Sequence, residues 1–111
     1  MLKIVRVDFP LLDKPGKVKS RPALCLTEPI GKYKHVIVAP ITSKTDRLVS
    51  SDVVLDPTDA QFSNTGLSKM SAIQLHKMVS LGETRLQGEV GTLSDSCDEE
   101  VRSKLKELFQ L

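Results

Sequence analysis

Two short, continuous apolar runs, "PALCL" at residues 22–26 and "HVIVAPI" at residues 35–41, narrow the choice of fold more than any other feature of the chain. Each is too short for a buried helix and too continuous for a strand with one face in water. The segment between them, "TEPIGKYK", is built of turn-forming and polar residues, so the runs read as two central strands joined by a hairpin and forming the core. Pro40 breaks the second run just before Thr42 and Ser43, and Arg21 stands directly before Pro22 at the start of the first. Core filling requires neither feature.

Further strands flank this hairpin. Val5, Val7 and Phe9 fall on one side of an extended segment that ends at Pro10. The stretch "LLDKPGKVKS" (residues 11–20), with Pro15, Gly16, Lys14, Lys17 and Lys19, predicts a solvated loop that delivers the chain to Arg21. "DVVL" (residues 52–55) predicts another strand. "SAIQLHKMVSL", from Ser71 to Leu81, alternates as one more, with Gly66 marking the turn before it.

The period then changes. Val101, Leu105, Leu108 and Phe109 sit at i, i+4, i+7 and i+8, one face of a helix predicted from near Asp95 almost to Leu111. Ser96 with Glu99 has capping-box spacing, and Asp98, Glu99 and Glu100 suit the positive end of the helix dipole. The expected fold is mainly β with a C-terminal helix: a small, strongly bent antiparallel sheet or partly open barrel, with the helix covering one opening.

A chain of 111 residues, 40% apolar and 27% charged, fits a single domain over 1–111. Cys25 and Cys97 form no CxxC and no ligand cluster with His35 or His76. No disulfide, structural zinc or other cofactor is therefore expected, and a reducing cytoplasm is the expected compartment. The opening "MLKIVRVDFP" has no apolar stretch long enough for a signal peptide or a membrane span, so no membrane contact is expected. Residues 1–50 carry ten Lys/Arg and four Asp/Glu, a balance of +6, and residues 51–111 carry six and ten, a balance of −4. Such asymmetry points to a basic face for a polyanion.

Several residues carry chemistry that fits such a partner. Pro22 restricts Arg21 to extended backbone angles, and its planar guanidinium can hold two phosphate oxygens, although pairing with a nearby carboxylate is an alternative use. Thr42 and Ser43 can donate to a phosphate, or simply bond their own turn. Imidazole changes charge near neutral pH, which makes His76 a candidate proton carrier. His35 looks like a strand-edge residue. Gln74, two residues from His76, is expected on the same side of the strand, facing one groove with it. Gln61 and Asn64, in "TDAQFSNTG", can read base edges, and Lys17 and Lys19 can meet phosphates. With no Trp and four Phe/Tyr residues, an extended base-stacking platform is not expected.

Taken together, "SRPALCL", its spacing to "VAPITS", the segment "GLSKMSAIQL" and the ending "GTLSDSCDEEVRSKLKELFQL" resemble the MazF/PemK family of toxins over nearly the whole chain. The resemblance implies a small SH3-like barrel and a homodimer. It also implies an endoribonuclease that cuts single-stranded RNA at short sequences and is silenced by a cognate antitoxin. The family's active-site arginine and hydroxyl map onto Arg21 and Thr42, with Ser43 adjacent. His76, standing where some members carry a carboxylate, is expected as general base, and no metal is needed. The loop before Arg21 departs from many members, with lysines and no carboxylate after Asp13. The related CcdB-type gyrase poisons share the barrel, but "LFQL" lacks the tryptophan-containing ending associated with them. A degenerate member that only binds RNA or antitoxin is the third expectation.

Overall fold

The two apolar runs pair as neighbouring strands in the computed structural model, which describes residues 2–10 and 14–111. Strand β2 (Val18–Cys25) lies antiparallel to β3 (His35–Thr42), with Ala23 opposite Pro40, Leu24 opposite Ala39 and Cys25 opposite Val38. On its other edge β2 pairs with β1 (Lys3–Pro10) along the whole length of both strands. Residues 18–20, expected in the solvated loop, are therefore strand, opposite Pro10, Phe9 and Asp8. Backbone pairing needs no apolar side chain. Val18, Lys19 and Ser20 are exposed, so this end of the ribbon carries a loop-like sequence. Residues 11–13 of the expected loop, Asp13 included, lie outside the described residues.

Both faces of β1–β2–β3 are covered, which accounts for the unbroken apolar runs. On one face Ile4, Leu24, Ala39 and Ile41 pack with Val53, Leu55, Ile73, Leu75, Leu93 and Val101. On the other, Val5, Val7, Ala23, Val36 and Val38 form a second cluster, closed by Phe9, Cys25, Leu81 and Leu86. The remaining strands are β4 (Asp52–Leu55), β5 (Ser71–Gln74), β6 (Val79–Gly82) and β7 (Leu86–Thr92), in the order β4-β5-β3-β2-β1-β7, with β6 also on β3. The sheet is mainly antiparallel and strongly bent, and it does not close on itself.

The segment from Ser71 to Leu81 is two strands rather than one. Ile41 pairs with Ile73, and an unbroken ladder would set Val38 opposite His76. Val79 stands there instead, three residues further on. The extra residues form the 3-10 turn Leu75–Lys77, closed by Met78 N–H donating to the Leu75 carbonyl at 3.1 Å. The interruption falls beside Ala39–Pro40, and Pro40 has no N–H to lose from a ladder. Pro40 thus marks the point where β3 changes partner from β6 to β5.

Helix α1 (Asp95–Phe109) is capped by Ser94 rather than by Ser96: the Ser94 hydroxyl accepts from Cys97 N–H at 3.2 Å. Leu93 is buried, so the chain turns out of the core one residue before that cap. Val101 is buried and Leu105 and Leu108 pack beside it, whereas Phe109, predicted on the same face, is 57% exposed. At i+8 it stands about 80° around the helix from Val101, at the margin of the apolar stripe. No helix among the described residues is long and apolar enough to cross a membrane.

Candidate active-site groove

Beyond the pair Ala23–Pro40, β2 and β3 no longer bond each other, but each stays fixed on its far edge. Arg21 is held opposite Val7 of β1, and Thr42 opposite Ala72 of β5. Arg21 and Thr42 are each two residues outward from the last shared pair, so they occupy facing strand ends where the sheet opens. A groove of about 780 Å³ lies there, lined by both.

The groove is strongly basic. Among the described residues Arg6, Lys19, Arg21, Lys44, Arg47, Lys69 and Lys77 line it, against a single carboxylate, Asp46. Among the described residues the close acid–base pairs are Lys3–Glu89, His76–Asp52, Arg102–Asp98 and Lys104–Glu100, none of which uses a groove cation. Like charges gathered around a cleft attract polyanions and raise their local concentration. Hydroxyls stand among the cations: Thr42, Ser43, Ser68 and Ser71. The Thr42 oxygen accepts from Lys44 N–H at 3.1 Å, which fixes the side chain and leaves its own O–H to donate. Ser71 has already spent its O–H on the Lys69 carbonyl, at 2.9 Å.

Of the residues singled out in the sequence, Arg21, Thr42, Ser43, Lys19 and Gln74 come together in this groove. The others do not line it. Lys17 lies in the turn whose N–H donates to the Lys14 carbonyl. The amides of Gln61 and Asn64 bond each other at 2.7 Å, and Gln61 borders a small crevice beside Leu55 and Cys97. His76, expected to share a strand face with Gln74, is carried away by the 3-10 turn. Its Nδ1 lies 3.7 Å from Oδ1 of Asp52.

Asp52, which the sequence did not mark, is 6% exposed and opposite Gln74 in the ladder. Its Oδ2 accepts from Val49 N–H at 2.9 Å, and Oδ1 has no hydrogen-bond partner among the described residues. Lys104 of α1 donates to the Ser50 and Asp52 carbonyls at 3.0 and 2.8 Å, tying the helix to this edge. The groove cations Arg6, Lys44, Arg47, Lys69 and Lys77 also went unmarked. All five sit within five residues of a strand end. Burial pushes the Cys25 thiol pKa up, which disfavours the thiolate, and the thiol donates to the Thr27 carbonyl at 3.2 Å.

Residues 2–109 match the family model described as PemK-like, MazF-like toxin of type II toxin–antitoxin system. The Mycobacterium tuberculosis toxin MazF-mt6 aligns with a TM-score of 0.74 at 26% identity, covering 98% of this chain and 97% of that one. A further Mtb toxin aligns at 0.68 with 20% identity, over 95% and 98% of the two chains. An endoribonuclease in complex with its cognate antitoxin, from a mycobacterial species, aligns at 0.66 with 14% identity, over 98% and 90%. These last two likenesses are of fold alone. No curated protein matches the chain at a significant level.

Proposed function

The chain belongs to the PemK-like, MazF-like toxins of type II toxin–antitoxin systems, and from that premise we propose that it is an endoribonuclease that cuts single-stranded RNA without a metal ion. The observation that carries this reading is the basic groove with Arg21 and Thr42 on facing strand ends. In the proposed reaction a ribose 2′-oxygen loses its proton and bonds to the adjacent phosphorus. The pentavalent phosphorane then expels the 5′-oxygen, which takes up a proton, leaving a 2′,3′-cyclic phosphate and a 5′-hydroxyl. Charge grows on the non-bridging oxygens, where the Arg21 fork stabilises it and donates toward the leaving oxygen. Thr42 and Ser43 orient the phosphate through their O–H groups, and the surrounding lysines hold the flanking backbone without regard to sequence.

Two groups compete for the proton-accepting role. Asp46 lines the groove, whereas His76 does not and faces Asp52 with Nδ1. We assign the role to Asp46. Asp46→Asn is expected to cleave about a hundredfold more slowly, the low end for losing a general base, while His76→Ala stays within a few-fold of the parent. The reverse ranking in single-turnover rates returns the role to His76.

The decisive experiment is incubation of the purified protein with a long unstructured RNA in EDTA, followed by mapping of new 5′ ends. Discrete ends bearing 5′-hydroxyls support the nuclease. Uncut RNA selects a protein that only binds.

Partners follow from the same site. A cognate antitoxin with an acidic, extended segment would lie over Lys19, Arg21 and the neighbouring Lys14 and Lys17, excluding RNA. The family resemblance adds a second copy of the chain, paired with it as a homodimer. Light scattering is expected to give twice the chain mass, and the antitoxin to displace labelled RNA competitively. A ternary complex with RNA still bound would count against this arrangement.

A further inference from the structure

Sequence preference requires a group that reads base edges, and a groove cation spent on phosphate holds every sequence alike. Among the described lining residues Gln74 is the one amide. Its backbone is firmly placed. It ends β5 between Ile73 and Leu75, both 0% exposed, and pairs in the ladder with buried Asp52. Asp52 is itself anchored by its carboxylate to Val49 N–H and by its carbonyl to Lys104. A planar donor–acceptor group on a rigid strand is suited to reading, since a hydrogen-bond pattern discriminates only when its geometry is held. Gln61 and Asn64, the other amides marked in the sequence, do not line the groove, and Asn64 Nδ2 donates to Gln61 Oε1.

We propose that Gln74 is the specificity-determining residue of the groove and that it reads an adenine through both ends of its amide. Adenine carries N6–H₂ beside an acceptor on two edges, N7 on one and N1 on the other, so the amide oxygen and nitrogen pair with it in either presentation. A phosphate held by the cations brings the base to Gln74, and the amide decides which base stays.

This inference rests on the RNA-cleaving reading, and its test separates the two. Binding is measured by fluorescence anisotropy with short labelled oligouridylates carrying A, G, C or U at the central position. All sugars are 2′-O-methylated so that no strand can be cut. The parent is expected to bind the adenine probe roughly tenfold tighter than the uridine probe, the scale of one bidentate base contact. Gln74→Ala is expected to bind all four probes alike, with uridine affinity kept within a few-fold. Gln74→Arg is expected to move the preference to guanine, whose O6 and N7 match a guanidinium. Circular dichroism confirms that both variants are folded. A parent that binds the four probes equally, or a Gln74→Ala variant with the parent's ranking, overturns the proposal. Failure to cut RNA in EDTA overturns the nuclease reading alone and leaves this ranking intact.

Discussion

Arg21→Ala is expected to cleave single-stranded RNA at least about a hundredfold more slowly than the parent, the scale for removing one preorganised transition-state donor. The loss should fall on kcat. Arg21 is one of seven cations lining the groove among the described residues, and the other six still attract and hold the backbone, so KM moves by only a few-fold. The fold should survive, because the ladder partner of Arg21, Val7, is bonded through backbone groups that alanine retains. Arg21→Lys separates charge from shape. An ammonium restores the positive charge but not the two-pronged fork, so it is expected to recover a minor part of the rate. Single-turnover cleavage of one defined RNA, with thermal melting of each variant, reads both effects. An Arg21→Ala variant that melts like the parent and cuts at the parent's rate removes Arg21 from the reaction.

The pairing of Arg21 with Thr42 was legible because strand ends are local features. A proline-bounded apolar run shows where a strand starts or stops, and the residues just outside it are the ones that can reach a cleft. The hairpin was legible for a related reason, since burial on both faces leaves little room for polar residues, and the stretches "PALCL" and "VIVAPI" hold none. Strand β7 was not. "LQGEVGT" holds two glycines and an exposed glutamate and has no period of its own. It becomes a strand because β1 offers an open edge, with register shifts that step past Gln87 and Val90. Tertiary context overrides propensity there.

His76 was misplaced for a different reason. The segment "SAIQLHKMVSL" is strand through Gln74, and nothing local says that the ladder must slip by three residues. The slip falls beside Pro40 of another strand, where β3 changes partners. The basic lining was hidden in the same way. Lys44 and Arg47 follow β3, Lys69 precedes β5 and Lys77 follows it, and only the order of the strands brings these loops to one opening.

That opening depends on a close approach between two backbones, which makes Gly91→Ala the most damaging small substitution expected in the molecule. Gly91 lies in β7 opposite Ile4, and a Cβ there would run into the Asn64 carbonyl and the Thr65 backbone. Gly66 makes the matching approach from the other side: its φ is +73°, and a Cβ would strike the carbonyl of Val90. Each obstacle is main chain, which cannot rotate aside as a side chain can. The 3-10 turn Phe62–Thr65 must then lift away from β7, or β7 must part from β1. Overpacking alone costs about 1–3 kcal/mol, and the left-handed Gly66 beside it limits how the turn can yield. A loss of about 3 kcal/mol is expected, lowering the melting temperature by roughly 10–20 °C at this chain length. Gly82→Ala is the control, since its nearest neighbour is the Thr84 hydroxyl at 3.8 Å and its φ is −66°. It should melt within a few degrees of the parent or slightly above. Gly66, Leu67 and Val90 all line the groove, so Gly91→Ala should also weaken RNA binding below its melting temperature, with Arg21 and Thr42 untouched. Equal melting of the two variants would show that the turn and β7 are not in contact, and the groove would lose the wall on which its shape depends.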